Sequence, residues 1–297
     1  MIKTLSQAKT ASYNMLVKKL FFIIPILLLL SGCVIRTLES RYVIAEKIAT
    51  SAQMKKRNLR AGLFNLTSWE KITNPSAVFN IYIEGDGLAW LSKYKKSPNP
   101  TPPEPMALKL ATLDPNYNVI YIARPCQYST WVENGACPNK YWTEARTSAE
   151  VIDSYQIALD HIKSIHKARN FNLIAFSGGA AVAALVAAER DDVLSIRTIA
   201  GNLDYSSFTK LHKISPMTES IDPVTVAEKI SDIPQMHFIG SDDKVVPIDV
   251  FYGWKRAAKY SSCIGHYISR NTDHEHGWVE NWPDLIGFKP ACTDNKD

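Results

Sequence analysis

The chain is organised around residues 171–190, FNLIAFSGGAAVAALVAAER. An apolar run of strand-forming residues leads to Ser177, and an Ala-rich run of high helix propensity follows. Gly178 and Gly179 come directly after the serine, so small residues flank a sharp corner between a buried strand and a helix. Such a corner pushes the serine out of the sheet, and the helix points its amides at the same place. The pattern therefore predicts an exposed serine beside a site that stabilises an oxyanion.

The corner has the form Ala-x-Ser-x-Gly, with Ala175 in the place where glycine is usual. It resembles the nucleophile elbow of the α/β-hydrolase fold, and the resemblance spans most of the chain after residue 59. The resemblance implies an α/β fold with a mainly parallel sheet, helices on both faces and a short lid insertion. It also implies that Ser177 is the nucleophile and that the amide of Gly178 donates to the oxyanion. A glycine-rich turn without a catalytic role is the alternative that these residues alone leave open.

A second apolar strand, residues 78–83, runs directly into the turn Glu84-Gly85-Asp86-Gly87. Many α/β-hydrolases have His-Gly at this junction and supply one oxyanion donor from the turn. We therefore expect the amide of Asp86, with that of Gly87 next in preference, to complete an oxyanion hole with Gly178. A tight hairpin turn around Asp86 and Gly87 is the alternative.

The remaining pattern alternates strands and helices, which predicts a parallel sheet. The expected strands are residues 60–72, 118–123, 194–201, 234–239 and 263–269, and the expected helices are residues 36–54, 106–113, 148–169 and 247–259. A proline-rich loop at residues 100–105 is expected to rim the site. The irregular segment 202–231 is long enough to cover the site as a lid.

The candidate acid follows the strand at residues 234–239, in the stretch GSDDKVVP. In the α/β-hydrolases that this stretch resembles, the acid precedes a proline by four residues, and that spacing selects Asp243. Asp242 is the near alternative, and Asp204, after the preceding strand, is a rarer one. Both Asp242 and Asp243 could instead cap the helix that begins near Pro247.

The candidate general base lies in residues 271–278, NTDHEHGW, after the last predicted strand. A loop at the carboxyl edge of a parallel sheet can meet the serine, and the chain order Ser, Asp, His also fits. We prefer His274 because the histidine in similar sequences precedes a final Gly-Trp by a few residues. His276 is the second candidate. The alternative without a catalytic role is that both are exposed loop histidines or a chance metal-binding pair.

The N-terminus has the pattern of a targeting segment. Four lysines precede an apolar run of 11 residues, 20–30, which is shorter than the roughly 20 residues of a membrane-spanning helix. The run ends in Leu30-Ser31-Gly32-Cys33, which resembles the lipobox of bacterial lipoproteins. The resemblance implies that residues 1–32 are a signal peptide and that Cys33 carries lipid. An ordinary signal peptide or an uncleaved anchor is the alternative, and Met15 is a second possible start.

Removal of residues 1–32 would leave 265 residues, with 30 basic against 29 acidic side chains. This balance provides no basic field for nucleic acid, and the length suits one domain with a large core. We expect a tether with an N-terminal helix at residues 33–58 and an α/β-hydrolase domain at residues 59–297. No cofactor or metal ion is expected, and nothing indicates an oligomeric state. Val34 is not the aspartate that commonly retains lipoproteins in the inner membrane, which favours the periplasmic side of an outer membrane if the host has one.

Four cysteines remain besides Cys33, and an even number in an exported protein suggests disulfides. Three connectivities are possible. We favour Cys126 with Cys137 and Cys263 with Cys292, and the first bridge would close the polar loop STWVENGA. Free buried thiols are the alternative.

Taken together, these residues predict acyl transfer. Ser177 attacks a carbonyl carbon, His274 carries the proton, Asp243 orients the histidine, and water hydrolyses the acyl-enzyme. The expected substrate is a small-molecule or lipid ester, and the expected partner is a membrane, contacted through lipid on Cys33. An exported peptidase or amidase, or a non-enzymatic envelope lipoprotein on the same fold, are the competing functions.

Overall fold

A computed structural model describes residues 40–129 and 137–293 of the chain. The chain divides into two compact units, Met1–Ile44 and Ala45–Asp297. Only residues 40–44 of the first unit are described, and they are helical. The predicted signal peptide, Cys33 and the first part of the predicted tether therefore lie outside the described residues. Among the helices that are described, none has the length and apolar character needed to cross a membrane.

The larger unit is built on an eight-stranded sheet with the order β1-β2-β6-β3-β7-β8-β9-β10. The pairs from β6 to β10 across this order are parallel, whereas β1 pairs with β2, and β2 with β6, in antiparallel fashion. The strands are β1 Lys55–Ala61, β2 Phe64–Ile72, β3 Phe79–Ile83, β4 Trp90–Ser92, β5 Lys95–Lys96, β6 Asn118–Ile122, β7 Phe171–Phe176, β8 Val193–Ile199, β9 Gln235–Gly240 and β10 Ile264–Ser269. Strands β4 and β5 form a separate two-stranded hairpin.

Most of the helices lie between strands of the parallel part of the sheet, as crossover connections require, whereas the first helix precedes β1 and the last follows β10. The helices are α1 (residues 40–51), α2 Met106–Thr112, α3 Ala149–His166, α4 Gly179–Ala187, α5 Tyr205–His212, α6 Ile248–Ala257 and α7 Trp278–Leu285. Helix α4 is buried along its whole length, which explains why it carries small and apolar residues on every face. It packs on β7, so the corner between β7 and α4 lies at the centre of the carboxyl edge of the sheet.

The expectation of a mainly parallel α/β sheet is confirmed, and most predicted elements agree with the observed ones to within a few residues. The single strand expected over residues 60–72 is wrong. The chain there forms the antiparallel pair β1 and β2, because Gly62 adopts a φ of 62° and turns it back. The larger compact unit comprises Ala45–Asp297, and the domain boundary expected at residue 59 stays a prediction.

The segment expected to be an irregular lid contains helix α5 and a short 3-10 helix, Pro223–Val226. Asp204 caps α5, since its side chain accepts a hydrogen bond of 2.7 Å from the amide of Ser207. The spacing Asp-x-x-Ser, Asp204 to Ser207, is a helix-capping pattern that could have predicted the start of α5 from the sequence.

Candidate active site

Ser177 occupies the corner between β7 and α4 in the left-handed backbone region, with a φ of 49°. Non-glycine residues adopt this region at an energetic cost, and they persist there when the surroundings hold them. The amide of Ser177 donates to the carbonyl of Ile199 at 2.9 Å, and its carbonyl accepts from Asn202 at 3.0 Å and Ala180 at 3.1 Å. Strand β8 and helix α4 therefore hold the strained corner from both sides.

Gly178 and Gly179 are required because atoms of the turn after β3 lie too close to them for a side chain to fit. A Cβ on Gly179 would lie 2.5 Å from the carbonyl oxygen of Glu84, and a Cβ on Gly178 would lie 2.3 Å from Oδ1 of Asp86. Side chains at either position would push the turn after β3 away from the serine. Ala175, in the place where glycine is usual, is fully buried and its backbone φ is not positive, so the corner accommodates its methyl group.

The structure brings Ser177, His274 and Asp243 into one hydrogen-bonded chain. Oγ of Ser177 lies 3.0 Å from Nε2 of His274, and Nδ1 of His274 lies 2.9 Å from Oδ2 of Asp243. The other oxygen of Asp243 accepts from the amides of Val245 and Val246, both at 2.8 Å. An acceptor carboxylate at Nδ1 favours the tautomer in which Nε2 accepts the serine proton.

The loop that carries His274 is fixed by its own hydrogen bonds. Nε1 of Trp278 donates to the carbonyl of His274 at 3.2 Å, and the imidazole packs against the ring of Phe176 at 5.3 Å. Asp273 accepts from the amide of His276 at 2.7 Å and lies 3.1 Å from its ring nitrogen. The side chain of His276 is 80% exposed and pairs with Asp273, so His274 is the histidine that contacts Ser177.

The alternative acids lie elsewhere. The carboxylate of Asp242 is exposed and accepts from the hydroxyl of Ser241 at 3.2 Å. The carboxylate of Asp204 caps α5 and also accepts from the hydroxyl of Ser207 at 2.6 Å. Neither of them bonds His274.

The two amides expected to form the oxyanion hole are available. Within residues 40–129 and 137–293, neither the amide of Asp86 nor that of Gly178 has a hydrogen-bond acceptor. The alternative of a tight hairpin around Asp86 and Gly87 is wrong, because β3 pairs with β6 and β7, whereas the next strand, β4, pairs with β5.

Two arginines hold the turn, and the sequence contained no local signal for either. Nη1 of Arg124 lies 3.0 Å from Oδ1 of Asp86, and Nη1 of Arg146 lies 2.6 Å from Oδ2. Burial opposes ionisation of Asp86, but Arg146 and Arg124 together hold its pKa below the usual range. The cluster carries one net positive charge beside Gly178.

The segment after β6 braces the same turn. Nε2 of Gln127 donates to the carbonyl of Gly85 at 3.0 Å, and Oε1 of Gln127 accepts from the amide of Arg124 at 3.1 Å. The neighbouring Cys126 forms a disulfide with Cys137. The predicted pairing is therefore confirmed, as is that of Cys263 with Cys292. Residues 130–136 of the expected stapled loop lie outside the described residues.

Glu84, in the place where histidine is usual, links the turn to helix α2. Its Oε1 accepts from the amide of Gly85 at 2.9 Å and from that of Ala107 at 3.3 Å. Burial raises the pKa of Glu84 to about 7, although the hydrogen bonds from Gly85 and Ala107 oppose that shift. Tyr121 faces the carboxyl group, and burial together with the charge of Glu84 raises the pKa of its hydroxyl above the usual range.

A cavity of about 720 Å³ opens over Ser177 and His274. Pro102, Pro103 and Glu104 of the proline-rich loop line it, which confirms the expected rim, and the predicted lid segment contributes Asn202 and Phe208. Other lining residues are largely apolar: Leu88, Ala89, Trp90, Met106, Phe176, Val245 and Val246. Within the part of the chain that is described, no three His, Cys, Asp or Glu side chains cluster in a way that could hold a metal ion.

Comparison with known families finds one match, to the family described as serine hydrolase (FSH1), over residues 105–274. The matched segment covers more than half of the chain and contains Ser177, Asp243 and His274. No similar sequence is found among curated proteins.

Solved structures share the fold at low sequence identity. An α/β serine hydrolase homologue from Coxiella burnetii is 15% identical with a TM-score of 0.52, and the alignment covers 78% of this chain and 95% of that one. The esterase Pf2001 from Pyrococcus furiosus is 14% identical with a TM-score of 0.56, covering 79% and 90%. An acylaminoacyl peptidase from Pyrococcus horikoshii is 10% identical with a TM-score of 0.57, covering 82% and 42%. These likenesses establish the α/β-hydrolase fold alone.

Proposed function

Because this chain belongs to the serine hydrolase family FSH1 and is a serine hydrolase, we propose that it is a membrane-anchored esterase that acts through Ser177, His274 and Asp243. The observation that carries the proposal is the 3.0 Å contact between Oγ of Ser177 and Nε2 of His274. The contact is within the range in which a base removes a hydroxyl proton. The family match spans all three residues, which supports the same assignment.

The first chemical step is attack on the ester carbonyl. His274 takes the proton from Ser177 as Oγ bonds to the carbonyl carbon, and the carbonyl oxygen becomes an oxyanion. Asp243 holds the imidazole in the required tautomer and stabilises its positive charge. The amides of Asp86 and Gly178 bind the oxyanion, and their lack of other acceptors within the described residues supports this role.

The second half of the reaction regenerates the enzyme. His274 gives its proton to the alcohol as the carbon–oxygen bond breaks, which leaves an acyl group on Ser177. A water molecule then transfers a proton to His274 as its oxygen attacks the acyl carbon, and Ser177 recovers its proton when the acid leaves. The mostly apolar lining of the cavity supports an ester with an apolar acyl or alcohol group.

The proposed location is the cell envelope, with a lipid on Cys33 as the anchor. The lipobox-like residues 30–33 and the two disulfides support an exported, oxidising environment. In a host with an outer membrane, the enzyme would be on its periplasmic side.

Labelling with a fluorophosphonate probe tests the assignment. The probe should label the wild type and His276→Ala, whereas Ser177→Ala and His274→Ala should lose label, because only these two groups form the activated nucleophile. His276→Ala is the matched control, since His276 lies two residues away and is exposed. Paired nitrophenyl esters and peptide nitroanilides then separate an esterase from an amidase. Absence of label on folded wild type would instead support a non-enzymatic envelope protein.

A further inference from the structure

The mouth of the cavity has an exposed apolar hairpin. Strands β4 and β5 place Trp90 at 40% exposure, Leu91 at 48% and Tyr94 at 86%. The hairpin pairs only with itself within the described residues. Its base is held by the amide of Ser97, which donates to Ala89 at 2.9 Å. Because Trp90 lines the cavity, this apolar surface is continuous with the candidate active site.

The same hairpin is basic. Within the described residues, Lys93 and Lys95 form no ion pair, whereas Lys96 pairs with Glu144. The ammonium of Lys93 lies 5.6 Å from the centre of the Tyr94 ring, and that of Lys96 lies 5.9 Å from the Trp90 ring. Aromatic rings beside lysines are typical of the interface between a membrane and water.

A second group with the same composition borders the cavity at helix α5. Phe208 lines the cavity, and Leu211 follows it one turn further along α5. Ile214 lies just after the end of the helix, and both Leu211 and Ile214 are exposed. Lys210 and Lys213 lie between them, exposed and without an ion pair among the described residues.

Val245 connects this group to the cavity wall, since it is exposed, lines the cavity, and its carbonyl lies 2.7 Å from Nε2 of His212 on α5. The hairpin at residues 88–96 and the group at residues 208–214 with Val245 together form what we call the mouth surface.

The charge of the mouth surface is positive. Four of its lysines lack ion pairs among the described residues. Of the four acidic residues that line the cavity, Glu84 is buried, Asp86 pairs with two arginines, and Glu104 pairs with Lys109. Among these lining residues, Glu275 is the exposed carboxylate that has no cation within the described part of the chain. An anionic surface is therefore the complementary partner.

We propose that the mouth surface docks on an anionic lipid bilayer and that the enzyme takes its ester from that bilayer. The inference rests on the proposed esterase function and adds the physical state of the substrate. Apolar side chains would enter the interface, while the lysines without ion pairs would be attracted to the anionic surface. A bilayer fits better than an acidic protein, because the cavity opens within the docking surface and an apolar ester would reach Ser177 without crossing water.

Rates on two substrates test the docking, with the full chain used throughout so that any N-terminal anchor is common to all variants. The double variant Leu91→Ser with Tyr94→Ser should lose about tenfold in rate on an umbelliferyl ester embedded in phosphatidylglycerol-containing vesicles. It should keep its rate on a soluble short-chain ester, because neither side chain lines the cavity. The matched control is Ile165→Ser with Tyr117→Ser, which removes exposed apolar residues near the end of α3 and just before β6, neither of which lines the cavity. It should change neither rate.

Charge variants separate lipid charge from apolar contact. Lys93→Gln with Lys95→Gln should lose about tenfold on anionic vesicles and nothing on phosphatidylcholine vesicles. The control Lys167→Gln with Arg169→Gln should have no effect. An equal fall on soluble and embedded ester, or no fall on vesicles, would overturn the proposal.

Fluorescence gives a readout that does not need turnover. Vesicles of brominated anionic lipid should quench part of the tryptophan emission of wild type, and Trp90→Phe should remove that part. Equal quenching in both proteins would overturn the docking proposal. Absence of turnover on the soluble ester, with Trp90 quenched, would instead count against the esterase function alone.

Discussion

At the scale of single residues, Asp86 lines the cavity and supplies one of the proposed oxyanion donors, while its carboxylate pairs with Arg124 and Arg146. We expect Asp86→Ala to lower the free energy of unfolding by about 3–5 kcal/mol, since two largely buried guanidinium groups would lose their partner. Turnover should fall as well, because the turn that presents the amide would shift. Urea unfolding and ester kinetics measure the two effects.

Two further variants sharpen the Asp86 prediction. Asp153→Ala is the control, since Asp153 is an exposed residue of α3 without an ion pair in the described part of the chain, and it should change neither quantity. Arg146→Met in the Asp86→Ala background should recover part of the lost stability, because one fewer buried cation stays unpaired. A stability loss for Asp86→Ala no larger than that of Asp153→Ala would contradict a stabilising role for the ion pairs of Asp86.

Glu84 should make stability depend on pH. Its pKa in the folded protein is about 7, above the ordinary value of 4.5, so folding favours the protonated form. Its contribution is therefore complete below about pH 4.5 and is lost as the pH rises through 7. Glu84→Gln keeps an oxygen acceptor for Gly85 and Ala107 but cannot ionise, so it should gain stability relative to wild type over this interval.

Urea unfolding of wild type and Glu84→Gln at several pH values checks this slope. His237 has the opposite dependence, because burial lowers its pKa to about 3 and folding is weakened as the pH falls below 6.5. Both proteins contain His237, so the difference between their curves isolates Glu84. Parallel curves from pH 4 to 8 would show that the Glu84 carboxyl does not titrate as expected.

At the scale of elements, the two disulfides are expected to differ in their effect on catalysis. Loss of either bridge should lower the free energy of unfolding by about 2–4 kcal/mol, through greater freedom of the unfolded chain. Only the pair Cys126→Ser with Cys137→Ser should also lower turnover, because residues 124–127 support the oxyanion turn. The pair Cys263→Ser with Cys292→Ser is the control, and equal turnover in both double variants would contradict the role of the first bridge.

Local patterns explain which parts of the fold were predictable. The corner at Ser177 and the buried strands have strong apolar patterns, and the parallel direction of most strands follows from their alternation with helices. The β1 and β2 pair was missed because strand-forming residues continue on both sides of Gly62, and only the backbone conformation of that glycine separates them.

The candidate site was predictable only where a residue follows a strand end. Ser177, Asp243 and His274 lie one, three and five residues after the ends of β7, β9 and β10. The choice between His274 and His276 depended on the turn formed by Asp273, which two histidines two residues apart do not reveal. Arg124 and Arg146 lie 38 and 60 residues from Asp86, so no local pattern could connect them.

At the scale of the whole molecule, the proposed anchor and the mouth surface would act on the same bilayer. Eleven residues lie between Cys33 and Ala45, where the compact unit begins, and a chain of that length reaches at most about 40 Å. The anchor would therefore keep the mouth surface at high local concentration beside the membrane, and even a weak surface contact would suffice to orient the cavity.

The anchor itself is tested in the host by growth with an alkyne fatty acid and by the mass of the mature protein. Wild type should carry the label, and its mass should correspond to a chain that begins at Cys33 plus lipid. Cys33→Ala should lose the label and keep residues 1–32, because lipid attachment precedes removal of the signal peptide in the lipoproteins that residues 30–33 resemble. Val34→Ala is the matched control and should keep the label, since it leaves the cysteine and the residues before it unchanged. Label on Cys33→Ala, or an unlabelled wild type that still begins at residue 1, would contradict the lipid anchor and leave the mouth surface as the remaining route to the membrane.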